Sequence, residues 1–172
     1  MTKSKTSTPT QSNTIIAIDP GFDRVGLAIL CSEDGNPKLL FSQCIETNPK
    51  GSRGERLFAI GSQLRKVIEK WNPTTLAVET LFFNTNISSA IGVAEARGVV
   101  IYEASRARME IFEYAPQTIK IAVTGYGRAS KGQLADMVSR LVNLPKKPHK
   151  RLDDEMDAIA LGITHLATEK GI

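Results

Sequence analysis

The amino-acid sequence predicts an α/β protein: one mixed five-stranded sheet, three antiparallel strands and then parallel ones, flanked by helices. Three observations carry this. Three short apolar runs, separated only by turn residues, fill residues 14–47. Amphipathic segments with helical spacing then alternate with two further short apolar runs. Strands joined by tight turns pair antiparallel, whereas a strand reached through a crossover helix normally runs parallel to its partner.

The first run, TIIAIDPGFDRVG at residues 14–26, organises the rest. Thr14, Ile15, Ile16, Ala17 and Ile18 form a strand apolar on both faces, hence central in a sheet. It ends in a carboxylate, Asp19, and Pro20-Gly21 turns the chain. A buried strand that delivers one acid to its C-terminal end, against a turn open to close approach, suits a metal or phosphate site. The same residues also make an ordinary turn, and this stretch alone does not separate the two readings.

Residues 24–31 give the second strand, Asp34-Gly35 a hairpin turn, and residues 38–47 the third strand. From Arg53 to Trp71, Leu57, Ile60, Leu64, Val67, Ile68 and Trp71 follow helical spacing, with Pro73 just beyond. TTLAVE at 74–79 is a second buried strand ending in a carboxylate, so Glu79 and Asp19 can share one sheet edge. LFFNTNIS at 81–88 is a loop with two aromatics, Phe82 and Phe83; core packing is the simple reading for Phe83. Ile87, Ile91, Ala94, Gly98, Ile101 and Tyr102 begin another helix, in which Gly98 implies close backbone packing. The fifth strand is 110–115, and a short helix spans 117–124. Ser130 with Gln133 forms a capping box for a helix that carries Leu134, Met137, Val138, Leu141 and Val142 on one face. The last helix, 153–169, turns Met156, Ile159, Ala160 and Ile163 inward.

The 172 residues, 41% hydrophobic and 23% charged, fit one domain over 14–172 behind a polar tail at 1–13. No apolar run is long enough to span a membrane, and the tail lacks the apolar core of a secretory signal. Two cysteines, Cys31 and Cys44, form no metal-like or redox spacing and suit a reducing cytoplasm. Charge is unevenly spread. Residues 1–115 are near balance at +1, residues 116–151 carry +7, and residues 152–172 carry −4. A basic segment that gathers phosphates, running into acids that hold cations, fits a metal-dependent enzyme acting on a polyanion. Solvated charged faces are the plainer reading of the same numbers.

The acids sharpen the choice. Asp154 and Asp157 stand three apart and share one helix face. Asp153, Asp154 and Glu155 complement a helix dipole in any case, but Asp157 lies deeper, bordering the apolar stripe, where a lone acid is costly to desolvate. If Asp19, Glu79, Asp154 and Asp157 converge, each like-charge pair costs about 4 kcal/mol at 4 Å with an effective dielectric near 20. Only bound cations sustain such a cluster. All-oxygen ligands favour Mg²⁺ or Mn²⁺ over zinc.

Four segments carry a resemblance in the right order: IDPGFDRVGLAIL, AVETLFFNTNISSAIGVAEARGVV, FEYAPQTIKIAVTGYGRASKGQL and DDEMDAIALGITHL. Together they resemble the RuvC family of Holliday junction resolvases, the crossover junction endodeoxyribonucleases of the ribonuclease H-like superfamily, from about Thr14 to Leu166. The resemblance implies a ribonuclease H-like sheet with Asp19, Glu79, Asp154 and Asp157 as catalytic, metal-binding acids. It implies two Mg²⁺ or Mn²⁺ ions per site, hydrolysis leaving a 5′ phosphate, and paired symmetric cuts in a four-way junction. It makes Phe82 a wedge or stacking platform at the junction centre, and Lys120 and Lys131 basic positions facing the scissile strand. Lys131 has independent support, because a helix N-terminus disfavours a cation and favours a phosphate; in the implied mechanism it offsets charge developing on the phosphorane. His165 matches the family's closing ITH, although a satisfied helix histidine is the simpler role. The extra acids Asp153 and Glu155 after KKPHKR depart from the family pattern and leave open whether Asp153 or Asp154 faces the metals; spacing to Asp157 favours Asp154. The implied partners are four-way junction DNA, a second copy of the chain in a homodimer, and a branch-migration motor, in the cytoplasm and away from membranes. Two alternatives share features of this reading: a ribonuclease H-like nuclease acting on RNA or RNA–DNA hybrid, and a non-catalytic junction-binding protein. A sugar-kinase-like ATPase needs two lobes and a longer chain.

Overall fold

A computed structural model of the chain describes residues 14–81, 87–147 and 151–169. The strands are β1 (Ile15–Asp19), β2 (Arg24–Glu33), β3 (Asn36–Glu46), β4 (Thr75–Glu79) and β5 (Glu110–Tyr114). The helices are α1 (Arg53–Trp71), α2 (Ile87–Arg106), α3 (Pro116–Thr124), α4 (Lys131–Leu141) and α5 (Asp153–Glu169). One sheet runs in the order β3-β2-β1-β4-β5. β1, β2 and β3 pair antiparallel, and β4 joins β1, then β5 joins β4, in parallel. This is the mixed sheet that the connection lengths predict.

Side-chain alternation sorts the central strands between two cores. Ile16 and Ile18 of β1 and Leu76 and Val78 of β4 pack with Ile60 and Leu64 of α1 and Val100 of α2. Ile15 and Ala17, with Ala77, face the opposite way, toward Ile119 of α3, Val138 of α4 and Ile159 and Leu161 of α5. Asp19 and Glu79 lie one alternation beyond Ala17 and Ala77. Both acids therefore point to the α3–α4–α5 side, at the end of the sheet.

Two glycines let α5 lie directly on β1 and β2. A Cβ on Gly162 would sit 2.3 Å from Leu30 Cδ1 and 3.3 Å from Ala17 Cβ, and one on Gly26 only 1.8 Å from the Asp154 carbonyl oxygen. Gly26 is the residue paired with Asp19 across the β1–β2 ladder. The seat at Gly26 thus brings the first turn of α5 to the carboxylate end of β1.

The element ends follow from local chemistry. α1 starts at a capping box between Ser52 and Glu55 and ends at Asn72 in a left-handed conformation, φ 45°. α4 starts at the expected capping box of Ser130 and Gln133, with Lys131 at its first position. The β2–β3 hairpin closes more tightly than expected. Asp34 and Gly35, both at positive φ, form a two-residue turn, so pairing reaches Glu33 and Asn36 and the third strand starts before residue 38. α2 runs on past Tyr102 to Arg106. α3 takes in Pro116, whose missing N–H is no loss at a first helical position. Gly98 corrects an expectation: a Cβ there would meet nothing within 4 Å, so close backbone packing does not explain it. His165 is fully buried inside the helix packing, its Nδ1 2.8 Å from the Tyr114 hydroxyl, its Nε2 3.2 Å from Glu169 Oε1 and its ring tilted against Phe112. Among the described residues, no helix is long and apolar enough to cross a membrane.

Candidate active site

Parallel pairing of β1 with β4 in the register Ile18↔Val78 sets Asp19 and Glu79 side by side at adjacent strand ends. α5 crosses above them and lowers Asp157 into the same space. The result is a cavity of about 300 Å³ lined by Asp19, Glu79 and Asp157, by Lys120 and Lys131, and by Pro116, Ile119 and Leu134. Lys131 Nζ lies 3.6 Å from Asp157 Oδ2. Of the residues singled out in the sequence, the structure brings these three acids and two lysines together. Asp154 stands at the rim instead, with Oδ2 3.1 Å from Arg24 Nε. Asp153 lines a neighbouring groove with Lys131 and Met156. Phe82 and Phe83 lie outside the described residues.

The electrostatics are those of unbalanced negative charge. Burial, the largest cause, and the charges of Glu79, Asp157 and Asp154 together push the Asp19 carboxyl up to about 8, against the pull of Lys131. Burial and Asp157 raise Glu79 to about 7, opposed by Lys131 and Lys120. Asp157 is raised as well, chiefly by burial, while Lys131 draws it back. Asp19, and in part Glu79, hold protons at neutral pH unless a cation takes the protons' place. Among the described residues no three acids approach closely enough to hold one ion as they stand. Their chemistry nevertheless fits a hard divalent cation: carboxylate oxygens only, partly buried, in excess over the neighbouring lysines.

Other residues fix this geometry and were not singled out in the sequence. Arg97 of α2 donates from Nε to the Glu79 carbonyl at 3.1 Å and pairs with Glu113, tying α2 to the end of β4. Arg56 of α1 holds the turn after Asp19: it pairs with Asp23, donates to Thr47 Oγ1 at 2.9 Å and stacks 4.0 Å from the Phe22 ring centre. Gly26 was open to sequence reasoning, because a glycine inside an apolar strand marks close approach of another backbone. The arginines had no such signal, since a helix surface is expected to carry them.

Comparison with known proteins gives the family and the fold. The family described as "Crossover junction endodeoxyribonuclease RuvC" matches residues 15–165. A protein of that name from Alkaliphilus oremlandii is 43% identical over 154 residues, 90% of this chain and 93% of its own. Another from Prochlorococcus marinus is 41% identical, over 87% of this chain and 96% of its own. The solved structure of Thermus thermophilus RuvC in complex with a Holliday junction substrate superposes with a TM-score of 0.82 at 29% identity, covering 92% of this chain and 96% of that one.

Proposed function

This chain belongs to the RuvC family of crossover junction endodeoxyribonucleases, and we propose that the pocket at the ends of β1 and β4 is where it cuts four-way DNA. It is a Holliday junction resolving endonuclease with a ribonuclease H-like fold, of a metal-dependent family. One observation carries the assignment of the site: three acids and two lysines from five separate elements line one cavity, with Asp19 and Glu79 pushed far above ordinary carboxyls.

Asp19, Glu79, Asp157 and Asp154 would hold two divalent ions, Mg²⁺ or Mn²⁺, whose chemistry there would be to activate the attacking water and to offset charge on the leaving 3′ oxygen. Asp154 joins this set by turning from Arg24, and its charge already acts on Asp19. Lys131 and Lys120 receive the scissile phosphate, and Lys131 offsets charge that grows on it in the transition state. The N-terminus of α4 adds free backbone N–H groups on the same side. Phe82 stacks at the junction centre. Paired symmetric cuts require two pockets related by a two-fold axis, and Phe58 of α1 with Ile91 and Tyr102 of α2, all exposed, offer a second copy an apolar surface. A branch-migration motor in the cytoplasm supplies the junction.

The test is cleavage of a mobile four-way junction, linear duplex and RNA–DNA hybrid, each with magnesium and with chelator. Paired cuts in the junction alone, abolished by chelator and by Asp157→Asn while junction binding persists, are expected. Retained cleavage by Asp157→Asn removes it from the site, and preferential cutting of the hybrid moves the substrate to RNA.

A further inference from the structure

Glu155, one residue after Asp154, is the most buried acid at the start of α5, with its side chain only 5% exposed. Its Oε1 accepts from Ser42 Oγ of β3 at 2.5 Å and from Lys147 Nζ at 2.5 Å. Arg151 Nε lies 3.2 Å from the same oxygen. Lys147 also donates to the Ser42 carbonyl at 2.6 Å, and Arg151 Nη2 to the Pro145 carbonyl at 2.7 Å. A first-turn acid is favourable beside a helix dipole without being buried. Burial needs partners, because a carboxylate taken out of water is costly unless paired and hydrogen-bonded. Here the partners are two cations of the basic segment and the edge strand β3.

We propose that Glu155 is a positioning residue: with Ser42 it latches Lys147 and Arg151 onto the first turn of α5, and so sets Asp154 and Asp157 over the pocket. Lys147 and Arg151 then serve this latch and not DNA. The inference rests on the assignment of the pocket above for its effect on metals, and goes beyond it in separating four cations of the +7 segment into two pairs. Lys120 and Lys131 face the pocket. Lys147 and Arg151 are turned to Glu155 instead, with side chains 27% and 11% exposed. Asp154 is gripped from both sides, by the Gly26 seat against its backbone and by the latch on the next residue.

Two measurements on the full chain separate a latch from a phosphate contact. In the first, affinity for a four-way junction is followed without metal between about 50 and 200 mM salt. A lysine on a phosphate steepens the slope of log K against log salt by about one. Lys120→Met should flatten the slope by that amount, while Lys147→Met and Arg151→Met keep the wild-type value. A flattened slope for Lys147→Met overturns the latch. In the second, Mg²⁺ binding is followed by calorimetry, and Mg²⁺ dependence by junction cleavage, well below the melting temperature. Glu155→Gln, which keeps the shape and an acceptor for Ser42, should weaken metal binding by about tenfold, as loss of a supporting carboxylate does. Lys147→Met, should Glu155→Gln fold poorly, is expected to do the same. Unchanged metal affinity in a folded variant overturns the proposal. Asp157→Asn run in parallel keeps the two readings apart: cleavage by that variant sinks the pocket assignment, while the salt slopes judge the latch by themselves.

Discussion

Two clusters of buried charge in this molecule have opposite characters. Between α1 and α2, Glu103 is 3% exposed and meets Arg65, at 2.6 and 3.2 Å, and Arg106, at 3.0 Å. These arginines draw its carboxyl below the usual range. At the end of the sheet, Asp19, Glu79 and Asp157 gather with one lysine near and another at the edge, and all three carboxyls rise. The fold is thus able to supply a buried acid with as many arginines as it needs. Around Asp19 it withholds them. Under the proposed assignment the difference suits the pocket to cations that arrive from solution, whereas the Glu103 cluster joins two helices.

The comparison is broken most decisively by chemistry. Asp157→Asn should cost at least about 10²–10³ in cleavage rate, the scale of removing preorganised electrostatic stabilisation, while the metal-free protein is no less stable because the carboxylate removed is one that burial disfavours. Glu103→Gln should do the reverse. It loses about 2 kcal/mol by leaving two arginines underpaired, a fall in melting temperature of about 5 °C, with the cleavage rate at 25 °C unchanged. A stable Glu103→Gln protein or a destabilised Asp157→Asn protein would erase the contrast.

The pH dependence separates the clusters further. Asp19 and Glu79 bind protons more tightly folded than unfolded, so their net effect on metal-free stability turns unfavourable as pH rises from about 4 to about 8. Under the proposed assignment divalent ions replace those protons, so magnesium should raise the melting temperature more at pH 8 than at pH 5. Glu103 has a lowered value, so its contribution is present above the unfolded 4.5 and is lost as pH falls through the folded value. Melting curves across pH with and without magnesium test both; a metal effect equal at pH 5 and pH 8 argues against the pocket. The smallest effect belongs to the helix that carries Glu103. Gly98→Ala on α2, with no atom within 4 Å of the added methyl, should stabilise by up to about 1 kcal/mol in thermal melts.

Much of this arrangement was legible in the sequence, for local reasons. Two short β-branched strands that each end in an acid, Asp19 and Glu79, can only bring those acids together if the strands are parallel neighbours, and a crossover helix between them makes them so. The bounds of α1 and the start of α4 follow from capping boxes and apolar spacing within a few residues. What escaped notice depends on contacts made at long range. Glu155 reads as a dipole acid because Ser42, its partner, lies 113 residues away. Arg24 has no local cue for Asp154, and Gly98 looked like a packing glycine because its surroundings are set by the fold alone. The basic segment reads as one DNA-binding stretch, since composition cannot tell a lysine turned inward from one facing phosphate.

The seating of α5 by Gly26 and Gly162 has a consequence for the order in which the protein acquires danger to its own cell. All five strands precede α5 in the chain, so Asp19 and Glu79 are already made on a growing polypeptide while Asp154 and Asp157 are not. Under the proposed assignment such a partial product cannot cut DNA, and nuclease competence appears only when the helix docks.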